Sequence, residues 1–68
     1  MDMRVLVGRN VKRLRVALAL SQEQLAEAAG LSQQYISGLE RGQRNPTIVT
    51  LWELSRPLKV EPADLLTP

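Results

Sequence analysis

The side chains able to do chemistry in this chain are amides, guanidinium groups and hydroxyls. Gln33 and Gln34 stand side by side, and Ser37 follows one helical turn later. Arg41 and Arg44 lie just beyond, with Asn45 next to them. A glutamine carries a donor and an acceptor on one planar group, and a guanidinium is a permanent cation with several donors. Such groups recognise a partner; they do not make or break bonds. The 68 residues include no cysteine and no histidine. That removes disulfides, thiolate chemistry, imidazole acid–base catalysis and the usual zinc ligand sets. The carboxylates do not cluster, so no enzyme, metal site, cofactor or small-molecule ligand is expected.

Charge is distributed unevenly behind a net of +2. Residues 1–20 hold five basic side chains and one acid, residues 21–40 hold three acids and no base, and Arg41 and Arg44 follow. A fold that gathers the two basic segments makes a patch suited to a polyanion; the alternative is ordinary charge scatter on a solvated surface. No apolar run approaches the ~20 residues of a membrane span. The chain is expected to be soluble, unprocessed and cytoplasmic, with no membrane partner.

These side chains must be positioned by helices. Hydrophobic residues make up 44% of the sequence, yet only Tyr35 and Trp52 are aromatic, so the core is aliphatic. Alanine and leucine dominate, which favours helix. Apolar periodicity and capping signals divide the chain into an all-α bundle of five short helices, a single domain over residues 1–68. The first runs from Met3 or Val7 to Leu18, with Val7, Val11, Leu14 and Leu18 inward. Ser21 and Gln24 form an S-x-x-Q capping box for a second helix, Gln22 to Ala29, stopped by Gly30. Ser32 caps a third, Gln33 to Arg41, with Ile36, Leu39 and Glu40 on one face. A turn at Asn45-Pro46-Thr47 leads into a fourth, Thr47 to Arg56, with Ile48, Leu51, Leu54 and Leu58 inward. Pro57 is expected to end or kink it early. Glu61-Pro62 opens a last helical turn, where Leu65 and Leu66 close the core.

Only Gly30, Leu31 and Ser32 join the second and third helices. So short a connector forces a steep crossing, the helix-turn-helix arrangement, over about residues 22–41. Ala26 is small at the close contact, and Leu25, Leu31, Ile36 and Leu39 form the shared seam. Arg15 and Glu40 are charges on faces that otherwise point inward. Unpaired, each would be costly, so the economical solution is that they neutralise one another.

The run LSQEQLAEAAGLSQQYISGLERGQRNPT resembles the DNA-binding domain of phage repressor and Cro-type transcriptional regulators, a lambda-repressor-like fold. The resemblance continues through TLWELSRPLKVEPADLL and covers roughly residues 7–66. It implies the same bridge between Arg15 and Glu40, which would orient the third helix. It also implies that the third helix lies in the major groove of double-stranded DNA. Helical arithmetic then turns Gln34, Ser37, Gly38 and Arg41 outward, with Gln33 at the edge. Gln33, Gln34, Ser37 and Gly38 are the expected base-contacting positions, Gly38 by close backbone approach. Gln22, Ser32, Tyr35, Arg41, Arg44 and Asn45 are expected at phosphates, although the Tyr35 ring could equally cover the turn. Ala19 stands where many members carry glycine, so the first helix is expected to run slightly longer.

The resemblance implies a transcriptional regulator that pairs as a homodimer on a palindromic operator, like Cro proteins or the controller proteins of restriction–modification systems. Trp52, with Pro62, Leu65 and Leu66, is the expected interface; packing of Trp52 on its own domain is the alternative. A protein–protein module of antitoxin or adaptor type on the same fold is the competing reading.

Overall fold

The computed structural model describes all 68 residues. Each helix begins where a side chain answers the free backbone donors of its first turn. The first, α1 (Met3–Ala17), is capped by Asp2, whose carboxylate accepts from the Arg4 N–H at 3.0 Å. Helix α2 (Gln22–Ala29) carries the full capping box: Gln24 N–H donates to Ser21 Oγ at 3.0 Å, and Ser21 N–H to Gln24 Oε1 at 2.8 Å. Ser32 caps α3 (Gln33–Glu40) by accepting from the Tyr35 N–H, and Thr47 caps α4 (Ile48–Leu58) by accepting from the Thr50 N–H.

The helices end in left-handed residues. Gly30 takes φ 73°, and Leu31 N–H returns to the Ala26 carbonyl at 2.8 Å. Without a Cβ this turn is free of the usual penalty. Ala19 takes the same region at φ 58°, so the expected longer first helix does not form: α1 stops at Ala17. Leu20 N–H bonds back to the Arg15 carbonyl at 3.0 Å, and that closure holds alanine in a conformation costing about 1–2 kcal/mol.

Pro57 neither ends α4 nor stops it at Arg56; the helix runs on to Leu58. A proline in a helix interior costs ~3 kcal/mol. Burial of Leu54 and Leu58, about 1.5–3 kcal/mol each, offsets it. Lys59 at φ 60° then closes the end, with Val60 N–H on the Ser55 carbonyl at 3.1 Å. The expected bundle of five helices is corrected to four α-helices and a 3-10 helix, Pro62–Leu66. Its five residues are held by an i→i−3 bond from Asp64 N–H to the Glu61 carbonyl and by the Asp64 carboxylate on the Glu61 N–H.

The core is aliphatic: Val7, Val11, Leu25, Ile36, Leu39, Leu51, Leu54, Leu58 and Leu65 meet in one cluster, with Ala26 and Ala29 at close contacts. Three residues assigned inward are exposed instead. Leu18 lies past the end of α1, Ile48 is the first residue of α4, and Leu66 is the last of the 3-10 helix. In each case the periodicity continues beyond the packed surface. No helix is long and apolar enough to cross a membrane.

Two residues of α1 not singled out by periodicity fix its position. A Cβ on Gly8 would collide with the Leu39 carbonyl oxygen and come within 3.1 Å of the Glu40 backbone, so α1 and α3 touch backbone to backbone there. Asn10 is buried; its Nδ2 donates to the carbonyls of Leu65 at 2.9 Å and Thr67 at 3.0 Å, tying the C-terminal segment to α1.

Candidate nucleic-acid interface

The orientation of α3 is set at one carboxylate. Arg15 Nε and Nη2 donate to Glu40 Oε2 and Oε1 at 2.6 and 3.0 Å, a bidentate pair joining α1 to α3. Gln22 Nε2 donates to the same Oε1 at 3.1 Å, bringing in α2. The remaining face of the guanidinium donates through Nη1 to the Leu20 carbonyl at 2.8 Å. The two charged side chains are only 12% and 4% exposed, and no buried polar side-chain atom lacks a partner. The hydrogen bonds that Arg15 donates to Glu40 outweigh burial and hold the guanidinium above its ordinary pKa, so Arg15 stays charged at neutral pH.

Gln33, Gln34 and Ser37 on the outer side of α3, and Arg41 at its C-cap, line one shallow concavity of about 270 Å³. Both glutamines are exposed. Arg41 Nη1 donates to Ser37 Oγ at 2.9 Å, and its Nε to Gln43 Oε1 at 3.4 Å. The surface is therefore a row of donors and acceptors ending in a cation.

The other expected contact residues fall around this row. Ser32 Oγ is occupied as the α3 cap. The Gln22 amide belongs to the Glu40 network, while its backbone N–H is among the first-turn donors that helix geometry leaves free. Gly38 is buried, with the Arg44 side chain lying over it. The Arg44 guanidinium also sits 5.5 Å from the centroid of the half-buried Tyr35 ring. Asn45 is exposed but lines a separate cleft of about 100 Å³ with Arg4, Pro46 and Leu66.

A second surface lies on α4. Ile48 is 81% exposed, Val49 61% and Trp52 55%, and the spacing i, i+1, i+4 puts them on one face. The Arg56 guanidinium stands 5.4 Å from the Trp52 ring centroid. Pro62 is half-buried and Leu66 exposed. Leu65 does not belong to any such surface: it is fully buried, because the turn at Pro62 drives it between α1 and α4. Of its two expected places, core and interface, it takes the core, and the interface role is corrected. The chemistry of Ile48 and Val49 was legible as apolar type, but their assignment inward or to no role hid them.

Comparison with known proteins agrees with this geometry. The helix-turn-helix family matches residues 11–65. The HTH-type transcriptional regulator y4dJ of Sinorhizobium fredii is 54% identical over 68 residues, all of this chain and 88% of that protein. The restriction-modification controller protein C.AhdI of Aeromonas hydrophila superposes with a TM-score of 0.88 at 44% identity, covering 91% of this chain and 94% of that one. SinR of Bacillus subtilis, the master regulator for biofilm formation, solved in complex with DNA, superposes with a TM-score of 0.85 at 35% identity, covering 90% and 98%. The chain belongs to the helix-turn-helix family of DNA-binding transcriptional regulators.

Proposed function

We propose that the chain reads a palindromic operator as a homodimer, laying α3 of each protomer in the major groove. The observation that carries this is the row of Gln33, Gln34 and Ser37 on one side of α3 with Arg41 just past its end, in which both glutamines and the arginine are exposed. Glutamine pairs with adenine N6 and N7 in a bidentate way, so Gln33 and Gln34 are the base readers, with Ser37 beside them. Arg41 and Arg44 meet phosphates, joined at the rim by Asn45, Tyr35 and the first turns of α2 and α3 at Gln22 and Ser32, where free N–H groups and the helix dipole favour an anion. These contacts position; the amides specify.

One eight-residue helix covers only a few base pairs, too few to single out a site in a genome. Two copies about 34 Å apart solve this. The α4 face of Ile48, Val49 and Trp52 is apolar, lies on a different helix from the reading row, and supplies the pairing surface, with Pro62 and Leu66 as further apolar area. The likeness to C.AhdI over nearly the whole of both chains supports a controller-type role, in which the protein's own concentration sets occupancy of its operator.

Selection of bound duplexes from a random pool tests the reading. A two-fold site with half-sites one helical turn apart is expected. Four phosphates met by Arg41 and Arg44 of two protomers give a slope of log K against log[salt] of about −4 or steeper, at ~0.9 per phosphate. No enrichment, or affinity independent of salt, would overturn it.

A further inference from the structure

Glycine in the middle of α3 is a local cost: it favours helix less than any residue but proline. Gly38 nevertheless sits on the turn between Ser37 and Arg41, beside the reading row. It is buried, and the side chain nearest to where its Cβ would stand is that of Arg44. A Cβ at position 38 would stand 3.0 Å from Arg44 Nε, 3.4 Å from its Cγ and 3.7 Å from its Cδ. The chain reaches this arrangement by reversing at Gly42, φ 75°, where Gln43 N–H returns to the Gly38 carbonyl at 2.9 Å. Two residues after the reversal, the arginine stem lies back across the last turn of α3. Its guanidinium is flanked by the Tyr35 ring, 5.5 Å to the centroid.

We propose that Gly38 is the seat of the Arg44 side chain, so that Gly38 and the Tyr35 ring hold the guanidinium against α3 where it meets a DNA phosphate. Gly38 is then a positioning residue that acts through Arg44, not a place where the backbone approaches the bases. An arginine free in solution loses several rotatable bonds on binding; one already laid along a helix loses fewer. The proposal rests on the DNA-binding reading above, but the seat exists in the free protein and is tested there as well.

In the free protein, NMR should show the Arg44 side-chain protons shifted upfield by the Tyr35 ring. Gly38→Ala should abolish that shift, while the melting temperature holds or rises because alanine favours the helix. Unshifted Arg44 protons in the wild type would overturn the seat without touching the functional reading. Binding is then measured on a duplex of random sequence, since a phosphate contact is independent of sequence. Gly38→Ala should weaken binding by about tenfold per protomer, the low end of the scale for one hydrogen bond to a charged group. It should also flatten the salt slope by about 0.9 per protomer. In an Arg44→Ala background the same change should alter neither quantity. If Gly38→Ala weakens binding equally with and without Arg44, the glycine backbone itself faces DNA and the proposal fails. It fails too if Gly38→Ala leaves affinity and slope unchanged. Wild-type protein that binds no duplex would instead sink the functional reading.

Discussion

Replacing Arg15 by methionine tests how α3 is held. The substitution keeps the stem and removes the guanidinium from a carboxylate that is 4% exposed. Glu40 then retains one partner, the Gln22 amide at 3.1 Å, in place of three donated hydrogen bonds. A buried charge robbed of its counter-ion costs about 3–5 kcal/mol. A domain of 68 residues is stabilised by roughly 3–10 kcal/mol in all, so the loss is a large share of the total. Urea unfolding, followed by circular dichroism and Trp52 fluorescence, reads the effect as a midpoint lowered by ~3–5 M for a slope of order 1 kcal/mol/M. Where the single variant is unfolded in buffer, its stability is read by titrating a protecting osmolyte. Adding Glu40→Leu should restore most of the loss, because a buried ion pair exchanged for apolar groups is often neutral. The coupling should be about 2–4 kcal/mol. Additive effects within ~0.5 kcal/mol would show that the two side chains do not depend on one another, and the reasoning would fail. The sign with pH follows from the upward shift on Arg15: the guanidinium's contribution is present below its ordinary range and falls away as the pH rises through the raised value, in strongly alkaline solution.

Ala19→Gly should raise stability by about 0.5–1 kcal/mol in the same assay, since relief of the left-handed φ of 58° exceeds the added chain entropy; a loss would mean the turn is unstrained. Gly8→Ala should destabilise by about 1–3 kcal/mol despite the better helix propensity of alanine, because the new Cβ meets the α3 backbone, which cannot yield as a side chain would. Trp52→Ala should weaken self-association by roughly 30-fold or more in sedimentation at rising concentration, the scale of an interface anchor, and leave unfolding little changed; an unaltered dimer would move the interface off α4.

Local signals in the sequence carried far. The Ser21–Gln24 box, the Ser32 cap and the Gly30 stop each involve groups within a few residues, so the α2–turn–α3 unit is legible with near-final boundaries. Opposed charges on inward faces likewise pointed to Arg15 and Glu40. What periodicity does not carry is where the packed surface ends: Leu18 and Ile48, assigned inward, are exposed, and of Leu65 and Leu66, each assigned both to the core and to an interface, only Leu65 is buried. Local penalties were also overridden by tertiary contacts: burial of Leu58 carries α4 through Pro57, and chain closure holds Ala19 left-handed. The roles of Gly8, Asn10 and Gly38 depend on partners at Leu39, Leu65 and Arg44, and no spacing rule brings those together.

The central claim is that side chains on the outer row of α3 read bases. Equilibrium binding of wild type and Gln34→Ala to the selected duplex, and to a set of its single-base-pair variants, tests it most directly. The account predicts that Gln34→Ala loses about 1–3 kcal/mol on the best site and no longer discriminates at one or two base pairs per half-site, with random-sequence binding almost unchanged. Uniformly weaker binding with discrimination intact would contradict it.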